Sequence, residues 1–281
     1  MKRSLKLAPA LLLGFAMINF TACDKDNEET EDFAATEDEA LAIDVDNSTE
    51  TDADAVTFKN GLQGGECAPW RYLSGCATVT DTNATYPKTI TIDFGSGCTN
   101  AFGRTRSGII RIELTDDLHH EGAVRTVRFD GYAVNGHAVT GSRVLTNTGA
   151  NAAGNITFSR SVNLEITGGR GTLTGTFEGQ VEWLSGYDTE ECGDNVFALT
   201  GTGTRASSKG HSATREIIDP LIIDRVCGYA TGGVVEISRS NGRSASINFG
   251  DGSCDDVATV TRNGISYEMD LDNYRVRKWR R

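Results

Sequence analysis

The chain is poor in histidine, the commonest general base and metal ligand. Its 281 residues include four histidines, His119, His120, His137 and His211. No Gly-x-Ser-x-Gly elbow accompanies them, so a base-activated nucleophile has no recognisable setting. No Cys-x-x-Cys pair occurs and the cysteines stand singly, which argues against a structural zinc site. The Gly201–Gly210 stretch is glycine-rich but lacks the Gly-Lys-Ser/Thr order of a phosphate loop, and it reads as strand and turn. With 4 prolines and 3 tryptophans the composition excludes strongly biased classes. No stretch of a dozen residues keeps the three-and-four apolar spacing of a helix, so any helix is expected to be short.

Glycine, by contrast, is abundant, 32 in all, and points to turn-rich β-structure. At the amino terminus, Lys2, Arg3 and Lys6 precede a mostly apolar run from Leu7 to Phe20 that reads as a signal peptide over residues 1–22. The run ends in Phe20-Thr21-Ala22-Cys23, which resembles a lipobox with Phe20 where Leu is commonest. Cys23 is therefore expected to carry diacylglyceryl and palmitate chains and to tether the protein to a membrane. Several acyl chains anchor durably, at about 0.8 kcal/mol per buried methylene.

From Asp24 to Asp54 the sequence has 14 acids against the single Lys25. That charge, with Phe33 as the one aromatic, predicts a disordered acidic tether over residues 23–55. The remaining body, residues 56–281, is nearly neutral, with 25 acids against 23 basic residues. On this partition the pI near 4.8 reports the tether, and nothing in the body favours nucleic acid as a partner. Asp24-Lys25-Asp26-Asn27-Glu28-Glu29 resembles the acidic export signal of Bacteroidota surface lipoproteins, which implies outer-membrane anchoring with display on the cell surface. The alternative is the same segment facing the periplasm.

The body alternates with period two. Leu173, Phe177, Val181 and Trp183 share one parity, and Thr174, Thr176, Glu178, Gln180 and Glu182 the other. Ile156, Phe158, Val162, Leu164 and Ile166 fall on one face of the preceding run, with Arg160 as the exception. Together they predict a hairpin turning near Gly168-Gly169, with strands of roughly 35 Å. Ile90, Ile92 and Phe94, then Ile110, Ile112 and Leu114, repeat the pattern, and Asn135-Gly136, Asn241-Gly242 and Asn263-Gly264 mark further tight hairpins. The fold class is all-β: an antiparallel meander of about a dozen strands forming a sandwich or incomplete barrel.

One motif occurs twice. Ile92-Asp93-Phe94-Gly95-Ser96-Gly97-Cys98 matches Ile247-Asn248-Phe249-Gly250-Asp251-Gly252-Ser253-Cys254, and Arg106 and Arg262 follow at the same distance. This echo predicts one three-stranded unit near each end of the body. With its Ile-Thr-Ile-Asp-Phe-Gly followed by Gly-Cys, the sequence resembles a group of Bacteroidota lipoproteins over roughly residues 67–272. The resemblance implies location and fold and brings no activity with it.

Cys67, Cys76, Cys98, Cys192, Cys227 and Cys254 remain once Cys23 is set aside, an even number for an oxidising compartment. Hairpin geometry favours Cys76 with Cys98 and Cys227 with Cys254, leaving Cys67 with Cys192 by elimination. Asp116-Asp117-Leu118-His119-His120-Glu121 is the densest polar cluster, and adjacent histidines on an extended backbone point apart, so it reads as a loop. Asp251, Asp255 and Asp256 around Gly252 lack the spacing of a calcium loop. No metal or cofactor is expected. Glu178 and Glu182 share a strand face as a glycosidase pair would, as does any solvated strand. The basic tail Arg275–Arg281 reads as protection of a sheet edge.

Trp70, Tyr72, Tyr187 and Tyr229 lie near strand ends, where loops present rings to a sugar, and they are the candidate ligand contacts. The sequence thus supports a surface binding or adhesion module with a glycan or protein ligand. A structural envelope component and a glycoside hydrolase are the alternatives, and catalysis is not expected.

Overall fold

The computed structural model describes residues 25–58, 73, 75–83, 85–100, 103–189, 194–227, 229–271 and 275–277. The signal peptide, Cys23, Cys67, Trp70, Tyr72, Cys192 and the last four tail residues lie outside them.

A single sheet forms the body. Its first strands are β1 (Thr78–Asp81), β2 (Lys88–Asp93), β3 (Cys98–Thr99), β4 (Thr105–Leu114), β5 (Val124–Val134) and β6 (His137–Ala150). The longest follow: β7 (Ile156–Gly168), β8 (Gly171–Ser185), β9 (Val196–Ser207) and β10 (Ser212–Asp224). It ends with β11 (Gly232–Arg239), β12 (Ser244–Asp251), β13 (Val257–Arg262), β14 (Ile265–Asp270) and β15 (Arg275–Arg277). Each strand pairs antiparallel with the next, except that β3 lies against β4 beside β2. Among the described residues the two ends of the meander, β1 and β15, are edges and are not paired with each other. The arrangement is therefore the incomplete barrel, not the sandwich.

The alternation is borne out. In β7, Phe158, Arg160, Val162, Leu164 and Ile166 are buried, and in β8 so are Leu173, Phe177 and Trp183. The β7–β8 hairpin pairs Thr157 with Glu182 at one end and Gly168 with Gly171 at the other, turning through Gly169 and Arg170. Asn135 and Asn263 have φ of 49° and 50°, and the glycines after them are also left-handed, as a type I′ turn requires. Curvature enters where the register slips. At the slip between Ser107 and Ile109, Gly108 has φ +76°, and a Cβ there would lie 2.2 Å from the Gly131 carbonyl oxygen.

The repeated motif is one piece of geometry used twice. β1, β2 and β4 form one three-stranded meander and β11, β12 and β13 the other. In each, the Asp or Asn before the phenylalanine accepts a hydrogen bond from the following glycine: Gly95 N to Asp93 Oδ1 at 2.8 Å, and Gly250 N to Asn248 Oδ1 at 2.9 Å. In each, a disulfide joins the chain entering the first strand to the chain leaving the second: Cys76–Cys98 and Cys227–Cys254. Replacing Cys76 and Cys98 together by serine should cost about 3 kcal/mol, the loop entropy restored to the unfolded chain, measured by urea unfolding with and without reductant.

The acidic segment departs from expectation. Residues Lys25–Thr57 form a 33-residue helix, α1, instead of a disordered tether. Between residues 33 and 57 only Ala34, Glu37, Asn47 and Thr51 are not fully buried, so the curled sheet surrounds the helix. Ala40, Leu41, Ala42, Ile43, Val45, Ala53 and Val56 join the same core as the inner faces of the strands. No glycine or proline interrupts residues 24–58, which permits a continuous helix of about 50 Å. The separation into charged stem and neutral body therefore fails: Asp38, Glu39, Asp44, Asp46, Glu50, Asp52 and Asp54 are buried inside the folded unit.

Candidate functional site

Helical spacing sorts the acids of α1 into stripes. Glu39, Asp46, Glu50 and Asp54 recur at intervals of seven and four residues and lie along one side; Asp44, Ser48 and Asp52 lie along another. Each stripe meets arginines projecting from the inner face of the sheet. Period-two alternation aims Arg106 of β4, Arg125 of β5, Arg143 of β6, Arg160 of β7, Arg205 of β9 and Arg215 of β10 at the helix, and Arg104 and Arg225 reach it from strand ends.

The contacts are close. Arg104 forks onto both oxygens of Asp44 at 2.7 and 2.5 Å. Arg106 Nε donates to Asp52 Oδ2 at 2.6 Å, and the Tyr132 hydroxyl donates to the same oxygen at 3.0 Å. Arg125 bridges Asp54, at 2.7 Å, and Glu50. Arg143 reaches Glu50 at 2.5 Å, and Arg160 reaches Asp46 at 2.8 Å. Arg205 and Arg215 share Glu39, each at 3.0 Å, and Arg225 pairs with Asp54. Near the start of the helix, Arg170 contacts Glu37 at 3.0 Å and His211 Nε2 contacts Asp38 at 3.1 Å. Aromatic rings pack beneath several of these forks: the Arg215 guanidinium lies 4.4 Å from the Phe177 centroid and that of Arg225 4.7 Å from Phe197.

Two glycines leave room beside the arginines on β8 and β9. Gly175 faces Arg205 across the strands, and Gly203 faces Phe177; a Cβ at either would press on a neighbouring carbonyl and an arginine. Burial alone would raise the carboxyls of Glu39, Asp46 and Glu50, but the arginines beside them outweigh it and hold all three below their ordinary values. Burial likewise pulls Arg106 and Arg125 down, and Asp52, Glu50 and Asp54 more than restore them. Burial and Asp52 push the Tyr132 hydroxyl well above its ordinary range, so it remains a donor.

The opposite face of the same strands is polar and open. Across β7 to β12, Asn163, Thr176, Thr204, Thr214, Ser238 and Ser244 stand in register as one row. Ser161, Glu178, Thr202, Glu216, Glu236 and Ser246 form the next. Two shallow depressions of about 560 and 350 Å³ lie over these rows and share Thr176, Thr204, Thr214 and Ser238. The hydroxyls are already organised: Thr176 and Thr204 Oγ1 atoms lie 3.0 Å apart, and Ser161 Oγ donates to Glu178 at 2.6 Å.

Of the candidate ligand contacts read from sequence, Trp70 and Tyr72 lie outside the described residues, and Tyr187 and Tyr229 lie away from these rows. Tyr187 is half-buried, with its ring 5.1 Å from Trp183 and 5.3 Å from His119. Tyr229 is half-buried beneath Arg104, 5.9 Å from its guanidinium carbon. Both pack against the core with part of their surface still exposed. His119 and His120 each contact a loop aspartate, Asp117 at 2.8 Å and Asp116 at 3.2 Å. Among the described residues no three His, Cys, Asp or Glu side chains are grouped to hold a metal, and no helix is long and apolar enough to cross a membrane. Glu182 accepts hydrogen bonds from Asn155 and Asn151, which hold it below its ordinary value, the wrong direction for a glycosidase proton donor.

Sequence reasoning missed the arginine cradle, although Arg160 already stood out on the apolar parity of β7. Arg143 and Arg215 break the same pattern in β6 and β10. No family model, no curated protein and no solved structure matches the chain.

Proposed function

We propose that this protein is a lipid-anchored component of the outer membrane, displayed on the cell surface, and that it binds a polar polymer, most simply a glycan, on the outer face of β8–β11. The observation that carries this reading is the pair of adjoining depressions over Thr176, Thr204, Thr214 and Ser238. Hydroxyl rows with carboxylates at Glu178, Glu216 and Glu236 offer alternating donors and acceptors to a chain of hydroxyl groups. The open shape suits an extended ligand lying across strands better than a small molecule that must be enclosed. Anchoring is supported by the lipobox-like Phe20–Cys23, with Asp24 alone between Cys23 and the helix that begins at Lys25.

Two measurements test this. The disulfide-bonded protein, applied to a broad panel of glycans and envelope or host proteins, should bind at least one glycan, and Thr204→Arg should weaken that binding at least tenfold, about 1.4 kcal/mol. Thr204 is exposed, so this substitution should leave the unfolding midpoint unchanged. Binding that survives Thr204→Arg would move the site away from this face, and silence across the panel would remove the reading. Protease shaving of intact cells should digest the body; survival beside a digested surface marker would place it on the periplasmic side.

A further inference from the structure

Among the described residues, one ion-pair network enclosed by the sheet does not balance within itself. Ion pairs connect Arg125, Arg143, Arg160, Arg205, Arg215 and Arg225 to Glu39, Asp46, Glu50 and Asp54 in one network of six guanidiniums and four carboxylates. The neighbouring pairs, Asp44 with Arg104 and Asp52 with Arg106, are matched one to one, and Arg170, set against Glu37 and Asp38 nearer the amino-terminal end of the helix, makes no ion pair with this network. Arginine keeps its proton under all ordinary conditions, so this surplus of two positive charges cannot be relieved by titration. An uncompensated charge away from water is costly.

Arg160 is the least provided for. Its side chain is 3% exposed, and its Nη2 contact with Asp46 is its one ion pair. Neither Nε nor Nη2 has a hydrogen-bond acceptor, although both are buried. Asp46 is itself shared with Arg143 at 3.3 Å and Arg215 at 3.9 Å. All four oxygens of Glu50 and Asp54 are already engaged by Arg125, Arg143 and Arg225. Burial, with neighbouring arginines adding to it, holds Arg143 and Arg215 below the ordinary guanidinium range despite their carboxylates.

Beside Arg160, between α1 and the sheet, lies a cavity of about 20 Å³. Asn47, Arg160 and Arg225 border it together with the apolar side chains of Phe158, Leu199 and Ile223. Glu50 and Asp54 also border it. A space of this size admits one water-sized particle, which excludes phosphate, sulfate and carboxylate ligands. Guanidinium forks against apolar walls favour a weakly hydrated ion.

We infer that this cavity is a binding site for a single monatomic anion, chloride in the ordinary environment of the protein, held between Arg160 and Arg225 under helix α1. The anion supplies Arg160 with the acceptor that the protein does not, and it reduces the surplus of this network from two charges to one.

The test uses the full chain, unfolded by urea at matched ionic strength in sodium chloride, sodium bromide or sodium gluconate, whose anion is too large to enter. At ten times its dissociation constant, chloride should lower the unfolding equilibrium constant about tenfold relative to gluconate, with bromide acting similarly. Arg160→Met should abolish this difference. Crystals grown in bromide should show an anomalous peak in the cavity beside Arg160, a readout that needs no variant. Equal stability in all three salts, or a cavity feature without anomalous signal and hence an ordered water, would overturn the inference.

Discussion

Replacing Asp52 by alanine should lower the stability of the folded chain by about 3–5 kcal/mol, the usual cost of stranding one member of a buried ion pair. Asp52 and Arg106 are 0% and 2% exposed, and their contact is 2.6 Å. Without the carboxylate, Arg106 keeps only a 3.4 Å hydrogen bond to the Arg104 carbonyl and a 3.5 Å one to Ser48, and the Tyr132 hydroxyl loses the acceptor it donates to. Removing both charges is a different experiment, since Asp52→Ala combined with Arg106→Met strands nothing charged. The double variant should recover most of the loss, and the coupling between the two sites is read from the cycle. Urea unfolding followed by tryptophan fluorescence and by helical circular dichroism supplies all four free energies. A cost for Asp52→Ala below about 1 kcal/mol, the range of solvated surface pairs, would mean that helix and sheet are not packed as described.

Acid should dismantle the molecule in one step, taking the helix and the sheet together. Glu39, Asp46 and Glu50 titrate below their ordinary values of 4.5, 3.8 and 4.5 because the arginines outweigh burial. A carboxyl whose folded value is depressed contributes stability that is complete above the unfolded value and is lost as the pH falls through the folded one. Stability should therefore change little between pH 7 and 5.5 from this source, then fall continuously below about pH 4.5 as the unfolded chain takes up protons first. Moderate salt should not abolish the effect, since buried pairs are weakly screened. Helical dichroism and tryptophan fluorescence followed from pH 7 to pH 2 test this. Coincident transitions are expected; a helix signal lost well before the sheet signal would show that α1 is not part of the cooperative unit.

Much of the sheet was legible because extended backbone writes its two faces directly into the sequence. Leu173, Phe177, Val181 and Trp183 point one way for a reason that concerns only their neighbours. The same holds for the Asp93-Phe94-Gly95 and Asn248-Phe249-Gly250 turns, where a side-chain oxygen and an adjacent amide set the geometry. The helix was not legible in this way. Its acids look like a solvated chain because local composition weighs apolar area against chain entropy, and their partners lie far away in sequence: Glu39 meets Arg215, and Asp54 meets Arg225. Over residues 33–57 the helix is enclosed on nearly every side and has no wet face, so it lacks the amphipathic stripe by which surface helices are recognised. Two local signs were present. Residues 24–58 lack glycine and proline in a glycine-rich chain, and arginine recurs at core positions of β6, β7 and β10. The outer face reads from sequence as an ordinary wet strand surface, and only the cross-strand register assembles its hydroxyls and carboxylates into rows.

The sheet is rolled around its rod without a sealed seam, since β1 and β15 remain apart. Mechanically the result is a shear joint. A pull on the amino-terminal end of α1 runs along the helix axis and loads its ionic contacts side by side, so they must yield almost together. The open seam offers an easier route, peeling from an edge, but axial traction does not act there. A body hauled by that end should hold its rod until the whole wrap gives way.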